Sequence, residues 1–130
     1  MSTNANIAVK TDKGYQTIYC HNDGYPSYMY PMLRDWYGTQ ERAEALVSFG
    51  DASFIDKRLT PSQDSGHRFG NREEGVCVFY NRDRGESYSL TTYDTKEELL
   101  KVQFYTYVFE DGRWRVYMLG KEAHNYANFD

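Results

Sequence analysis

The chain is poor in the residues that most often carry chemistry or cross-links. Only two cysteines, Cys20 and Cys77, and three histidines occur in 130 residues. Two cysteines without signs of an oxidising compartment read as free thiols rather than as a disulfide framework. No apolar run approaches the roughly 20 residues that cross a bilayer, and Met1 to Ala5 is polar, unlike a leader. The expected setting is therefore the cytoplasm, away from membranes. Positive charge is also scarce: the net charge is −4, which leaves no basic footprint for duplex nucleic acid. There is no Gly-x-x-x-x-Gly-Lys-Ser/Thr loop, no Gly-x-Gly-x-x-Gly fingerprint, no His-Glu-x-x-His and no Gly-x-Ser-x-Gly elbow. The carboxylates form no recognisable acid/base pair. No catalytic residue, cofactor or bound metal is expected on these grounds.

What the chain has is aromatic surface. Aromatic residues make up 17%, with 13 tyrosines, while hydrophobic residues at 40% and charged residues at 26% suit a globular protein. Tyrosine fits half-buried strands and binding surfaces alike, since it joins apolar area to a polar tip. The length is that of one domain, able to bury a core without staples.

Hydrophobic periodicity divides the chain. Residues 6–11 and 15–20 alternate as strands around Asp12-Lys13-Gly14, an N-terminal hairpin. Residues 21–31 read as a loop in which Pro26 and Pro31 forbid regular structure. A short helix is expected over 32–37. A second follows, capped by Thr39, with Ala43, Leu46 and Val47 on its apolar side and Gly50 as its stop. Residues 60–74 form a long polar loop, the kind of segment that is often functional. Residues 75–80 are continuously apolar and predict a central strand buried on both faces. A charged turn over 81–86 and a strand over 88–93 come next. Thr95 and Glu98 have capping-box spacing for a short helix from Lys96. Asp111-Gly112 joins strands over 103–110 and 113–119, a strong hairpin signal. Residues 120–130 read as a polar tail, anchored by Tyr126 and Phe129. The expected fold is α+β: one domain with a mostly antiparallel sheet of about five strands, two or three helices on one face, and hairpins at both ends.

Three segments concentrate functional groups. Cys20-His21-Asn22-Asp23-Gly24-Tyr25-Pro26 leaves a strand with a thiol, an imidazole and a carboxylate within four residues. Neighbouring strand residues point to opposite faces, which argues against a Cys20–His21 pair. A metal on His21, Asp23 and His67 fits no known ligand spacing. The same loop also has a plain structural reading, with Asp23 in an Asx-turn, Gly24 at positive φ and Pro26 fixing the exit. Arg82-Asp83-Arg84-Gly85-Glu86 offers two guanidiniums for a phosphate or carboxylate, or is an ordinary solvated turn. The loop carrying His67, Arg68 and Arg72 is either a flap over a site or an insertion.

Ile18 to Pro26, Phe49-Gly50-Asp51-Ala52-Ser53, Arg82 to Glu86 and the Tyr105 to Trp114 hairpin together resemble a group of small phage, prophage and bacterial proteins, mostly uncharacterised. That group carries an Ile-Tyr-Cys-His-Trp-Asp-Gly-Tyr-Pro-like motif and an Arg-Asp-Arg-Gly-Glu turn; here Asn22 replaces the usual Trp and Phe49 the usual Leu. The resemblance implies a small non-enzymatic binding protein in a host cytoplasm. It would inhibit host defence by gripping a host protein or sequestering a nucleotide-like anion. The expected contact residues are His21, Asp23, Tyr25, Arg82, Asp83, Arg84, Glu86 and His67. Two alternatives stay open: a small metal- or His-dependent nucleotide-processing hydrolase, and a plain homodimeric interaction module.

Overall fold

In the computed structural model, residues 2–123 are described. Strand β1 (Ala5–Thr11) turns through Gly14, at φ 116°, into the antiparallel β2 (Gly14–Cys20). Helices α1 (Pro26–Trp36) and α2 (Gln40–Val47) follow, then β3 (Ala52–Phe54) and β4 (Val78–Phe79). After α3 (Tyr80–Arg84) come β5 (Thr91–Tyr93), α4 (Lys96–Leu99), the hairpin β6 (Tyr105–Glu110) and β7 (Arg113–Met118), and β8 (Lys121–Glu122). The α+β class and both hairpins match expectation.

The sheet differs from the expected one. Among the described residues it has eight strands, in the order β4-β3-β2-β1-β6-β7-β8, with β5 also paired to β2. It is mixed, because β1 runs parallel to β6 and β2 parallel to β3. The N-terminal hairpin therefore inserts beside the C-terminal one, with Ile7 opposite Tyr107.

Alternation assigns the two faces. Ala5, Ile7, Val9, Ile18, Tyr107, Phe109, Trp114 and Val116 form one core with Met29, Leu33 and Leu46 of α1 and α2. On the opposite face Ala8, Tyr15, Val108 and Tyr117 pack with Leu99 of α4. The helices are thus split between the faces instead of sharing one. On that second face Lys96 pairs with buried Glu110, which Tyr15 also reaches at 3.4 Å.

Three local expectations are corrected. Residues 26–36 are helical despite both prolines. Pro26 occupies the first turn, where no N–H acceptor is needed. Pro31 forfeits only a bond to the Ser27 carbonyl; Ser27 is exposed, and burial of Met29, Met32 and Leu33 holds the helix. The apolar run at 75–80 contributes only the two-residue edge strand β4. Val76 and Cys77 are buried, but outside the sheet ladder. The tail expected from residue 120 begins as β8, whereas Tyr126 and Phe129 lie outside the described residues. No helix among the described residues is long and apolar enough to cross a membrane.

Candidate functional site

The row Cys20–Ala52–Phe79 runs across β2, β3 and β4. His21 follows directly after β2, while Tyr80, the first residue of α3, follows the oppositely directed β4. The two motifs therefore depart in opposite directions, with β3 between them.

The loop after Cys20 is held by backbone and side-chain bonds on all sides. His21 and Asn22 donate backbone N–H groups to Ala52 and Ser53 at 3.0 Å, and Asn22 Nδ2 donates to the Ser53 carbonyl at 3.0 Å. Gly24 donates its N–H to Thr3 at 2.8 Å and accepts the Tyr107 hydroxyl at 2.7 Å. Asp23, not Gly24, takes positive φ, at 57°. Gly24 is required by close approach: a Cβ there would lie 2.7 Å from Ala5 Cβ. Cys20 is fully buried in the helix-side core, and burial pushes its thiol up to about 12. His21 Nδ1 meets the Tyr19 hydroxyl at 2.7 Å on the other face. Asp23 is half-buried and Tyr25 exposed, the latter tilted against Tyr28 at 6.2 Å.

The second motif is a short helix, α3, and its side chains point to different tasks. Arg82 turns inward, 22% exposed. It donates to the carbonyls of Leu59 and Cys77, grips Asp83 at 2.8 and 2.9 Å, and covers the ring of Phe79 at 5.1 Å. Asp83 collects these bonds, the Phe79 N–H at 2.8 Å and, at 3.3 Å, the Nε2 of His67. His67 Nδ1 accepts the Glu73 N–H at 3.0 Å, which leaves the ring proton on Nε2, facing Asp83 slightly off the hydrogen-bond line. Burial alone would raise the Asp83 pKa. The bonds from Arg82 and Phe79, with the His67 ring N–H close by at 3.3 Å, outweigh it and hold the carboxyl below its ordinary value.

Loop 60–74 is thereby tied onto α3. Phe69 donates its N–H to the Asp83 carbonyl at 3.3 Å and packs on Tyr80 at 5.6 Å. Arg84 lies over Phe69 at 4.8 Å and over Tyr80 at 5.9 Å, while pairing with exposed Glu86 at 2.8 Å. On the loop's other side Arg72 covers Phe54 at 4.5 Å, and Phe54 stacks on Tyr28 at 5.6 Å. The result is a knuckle of exposed guanidiniums on aromatic rings.

Of the expected contact residues, the structure joins His67, Arg82, Asp83, Arg84 and Glu86. It keeps His21, Asp23 and Tyr25 on the separate loop. His21 and His67 do not converge, and no group of three or more metal-type ligands occurs among the described residues. Sequence reasoning missed Phe69, Tyr80 and Phe54 as platforms; the alternation of aromatic and arginine residues at 68–72 and 79–84 was the available signal. It also missed Tyr19, Asn6 and Gln103. These line a polar depression of about 160 Å³ on the second face of the sheet. A larger, more apolar groove of about 550 Å³, with Leu100, Phe104 and Leu119, shares Val102 and Gln103 with it. Comparison with protein-family models, curated proteins and solved structures finds no significant match for this chain.

Proposed function

We propose that this chain is a non-enzymatic binding protein that grips an acidic patch on a partner protein through the knuckle of loop 60–74 and α3. The observation carrying this reading is Arg84 laid over Phe69 at 4.8 Å, on a loop fixed beneath by the His67–Asp83 contact. Rigid aromatic and arginine anchors dominate the binding energy of protein interfaces. Arg68, exposed at the loop tip with no side-chain partner among the described residues, adds a guanidinium for a carboxylate. Glu86 already neutralises Arg84 at 2.8 Å. That mixed-charge rim suits a protein surface better than a polyphosphate.

Asp83, Arg82 and His67 are the support of this surface, while Arg84, Glu86 and Phe69 are its face. The resemblance to phage proteins makes a host defence protein the natural partner class. The test is affinity capture from host extract with the wild type and with Phe69→Ser/Arg84→Ala, followed by binding measurements on each captured protein. A partner lost with the double variant supports the knuckle. Equal binding by both forms removes it. Calorimetry with a nucleotide panel separates the alternative, a nucleotide-sequestering protein, which would bind a nucleotide through the same residues.

A further inference from the structure

The second face of the sheet contains polar groups that the protein leaves unmatched. Asn6 lies opposite Tyr19 in the β1–β2 register and beside Thr106 in the β1–β6 register. Asn6 is 5% exposed and makes no side-chain hydrogen bond among the described residues, and its carboxamide stays open to the depression it lines rather than sealed off. Thr106 is 1% exposed, and its hydroxyl has no partner among the described residues. A hydroxyl buried in this way costs about 1–3 kcal/mol unless something supplies the missing bond.

Asn6 lines the 160 Å³ depression together with Gln103, Asp51, Thr91 and the rings of Tyr19 and Tyr93. Asp51 Oδ1 accepts the Tyr19 N–H at 2.9 Å, which leaves Oδ2 without a hydrogen bond among the described residues. The Tyr19 ring is fixed in turn by its hydroxyl bond to His21 at 2.7 Å. The wall therefore offers carboxamide donors and acceptors, one carboxylate acceptor and flat aromatic surface. Its lining includes no cationic side chain, so a phosphate or carboxylate has no counter-charge inside. The volume equals that of about five liquid waters, which suits one heteroaromatic ring system and not a whole nucleotide.

We infer that this depression binds an uncharged planar heterocycle with adjacent N–H and C=O groups, the chemistry of a nucleobase lactam. The N–H faces Asp51, the C=O accepts amide protons from both Asn6 and Gln103, and the ring packs on tyrosine. Paired donor and acceptor recognition of a base edge is what a carboxamide does well. The neighbouring groove, reached across Val102 and Gln103, has room for a substituent on the ring. This site is separate from the knuckle and stands or falls independently of it.

The test is ligand-observed NMR on the full chain with uracil and hypoxanthine, and with 1,3-dimethyluracil, which keeps the ring but lacks both N–H donors. The expected result is binding of at least one lactam, and dimethyluracil weaker by about tenfold, the loss of one hydrogen bond to the half-buried Asp51 carboxylate. Asn6→Leu and the half-buried Gln103→Leu each weaken the lactam by a similar factor. The Gln103 change keeps the test valid if Asn6→Leu does not fold. Arg84→Ala leaves lactam binding unchanged. Absence of binding to both lactams up to about 10 mM, a range in which even weak specific sites register, overturns the assignment. So does equal binding of dimethyluracil, or equal lactam binding by wild type and Gln103→Leu.

Discussion

His67 and Asp83, sixteen positions apart in the chain, meet at 3.3 Å with side chains only 2% and 5% exposed. This contact makes a long polar loop part of the folded body. It also means that the carboxylate supporting the exposed arginines is itself a structural group. Removing Asp83 leaves the Phe79 N–H, Arg82 and His67 without their common acceptor. Asp83→Ala is expected to destabilise the fold by about 2–4 kcal/mol, the range for breaking a buried charged network. Urea denaturation checks it. A loss below about 0.5 kcal/mol, typical of a plain surface change, would show that the contact does not hold the loop.

The same carboxylate sets a pH dependence. Its folded-state pKa is depressed, so its contribution is fully present above the unfolded value of about 3.9 and is lost as pH falls through the folded value. Glu73, on the same loop, is lowered to about 2, chiefly by the backbone N–H and hydroxyl of Ser62 and further by Ser65 and Arg58. Acidification from about pH 4 towards about pH 2 should therefore progressively weaken and then release loop 60–74 before the sheet melts. Amide exchange would show this as loss of protection at Phe69 and Glu73 while Ile7 and Tyr107 stay protected. Simultaneous exposure of all four would refute loop-first release.

Much of the fold was legible because it is local. The hairpins follow from alternation and from turn residues such as Asp111 and Gly112, which take φ of 55° and 79°. Thr39 and Thr95 cap their helices by accepting the N–H of Arg42 and Glu98. The parallel pairing of β1 with β6 has no local sign, since it joins segments about a hundred positions apart and depends on how the two hairpins share one core. The 75–80 run misled because burial beneath a loop and a helix has the same composition as burial within a sheet. The site divided along the same line. The motifs drew attention to His21 and Arg82, yet both side chains serve neighbours, Tyr19 in one case and backbone carbonyls in the other. Asn6 was visible as a polar residue in an apolar strand, but its importance depends on Thr106 and Gln103, which only the folded chain brings near.

The two thiols should be silent in the folded protein. Burial is the main force raising both pKa values, to about 12 for Cys20 and upward for Cys77, and the thiolate is the reactive form. A disulfide-exchange reagent at about pH 8 is expected to label neither cysteine natively and both in denaturant. Fast native labelling of Cys20 would mean that the loop after it opens readily.

That loop is tightest at Gly24. A methyl group there would meet Ala5 Cβ at 2.7 Å, Thr3 O at 2.9 Å and Asn4 C at 3.0 Å. Two of these neighbours are backbone, and Ala5 is fixed in the ladder opposite Cys20, so no flexible side chain can yield. Gly24→Ala should cost about 1–3 kcal/mol by overpacking. Gly70→Ala is the matched control, since nothing among the described residues lies within 4 Å of its added Cβ, and it should stay within about 0.5 kcal/mol of wild type. Tyr107→Phe tests the same loop from the other side by removing the 2.7 Å bond to the Gly24 carbonyl. It should cost about 1–3 kcal/mol, because the abandoned carbonyl stays buried. Since both changes act on one contact region, the double variant should lose less than the sum of the single losses. Strict additivity in thermal or urea unfolding would show that Gly24 and Tyr107 hold the loop independently.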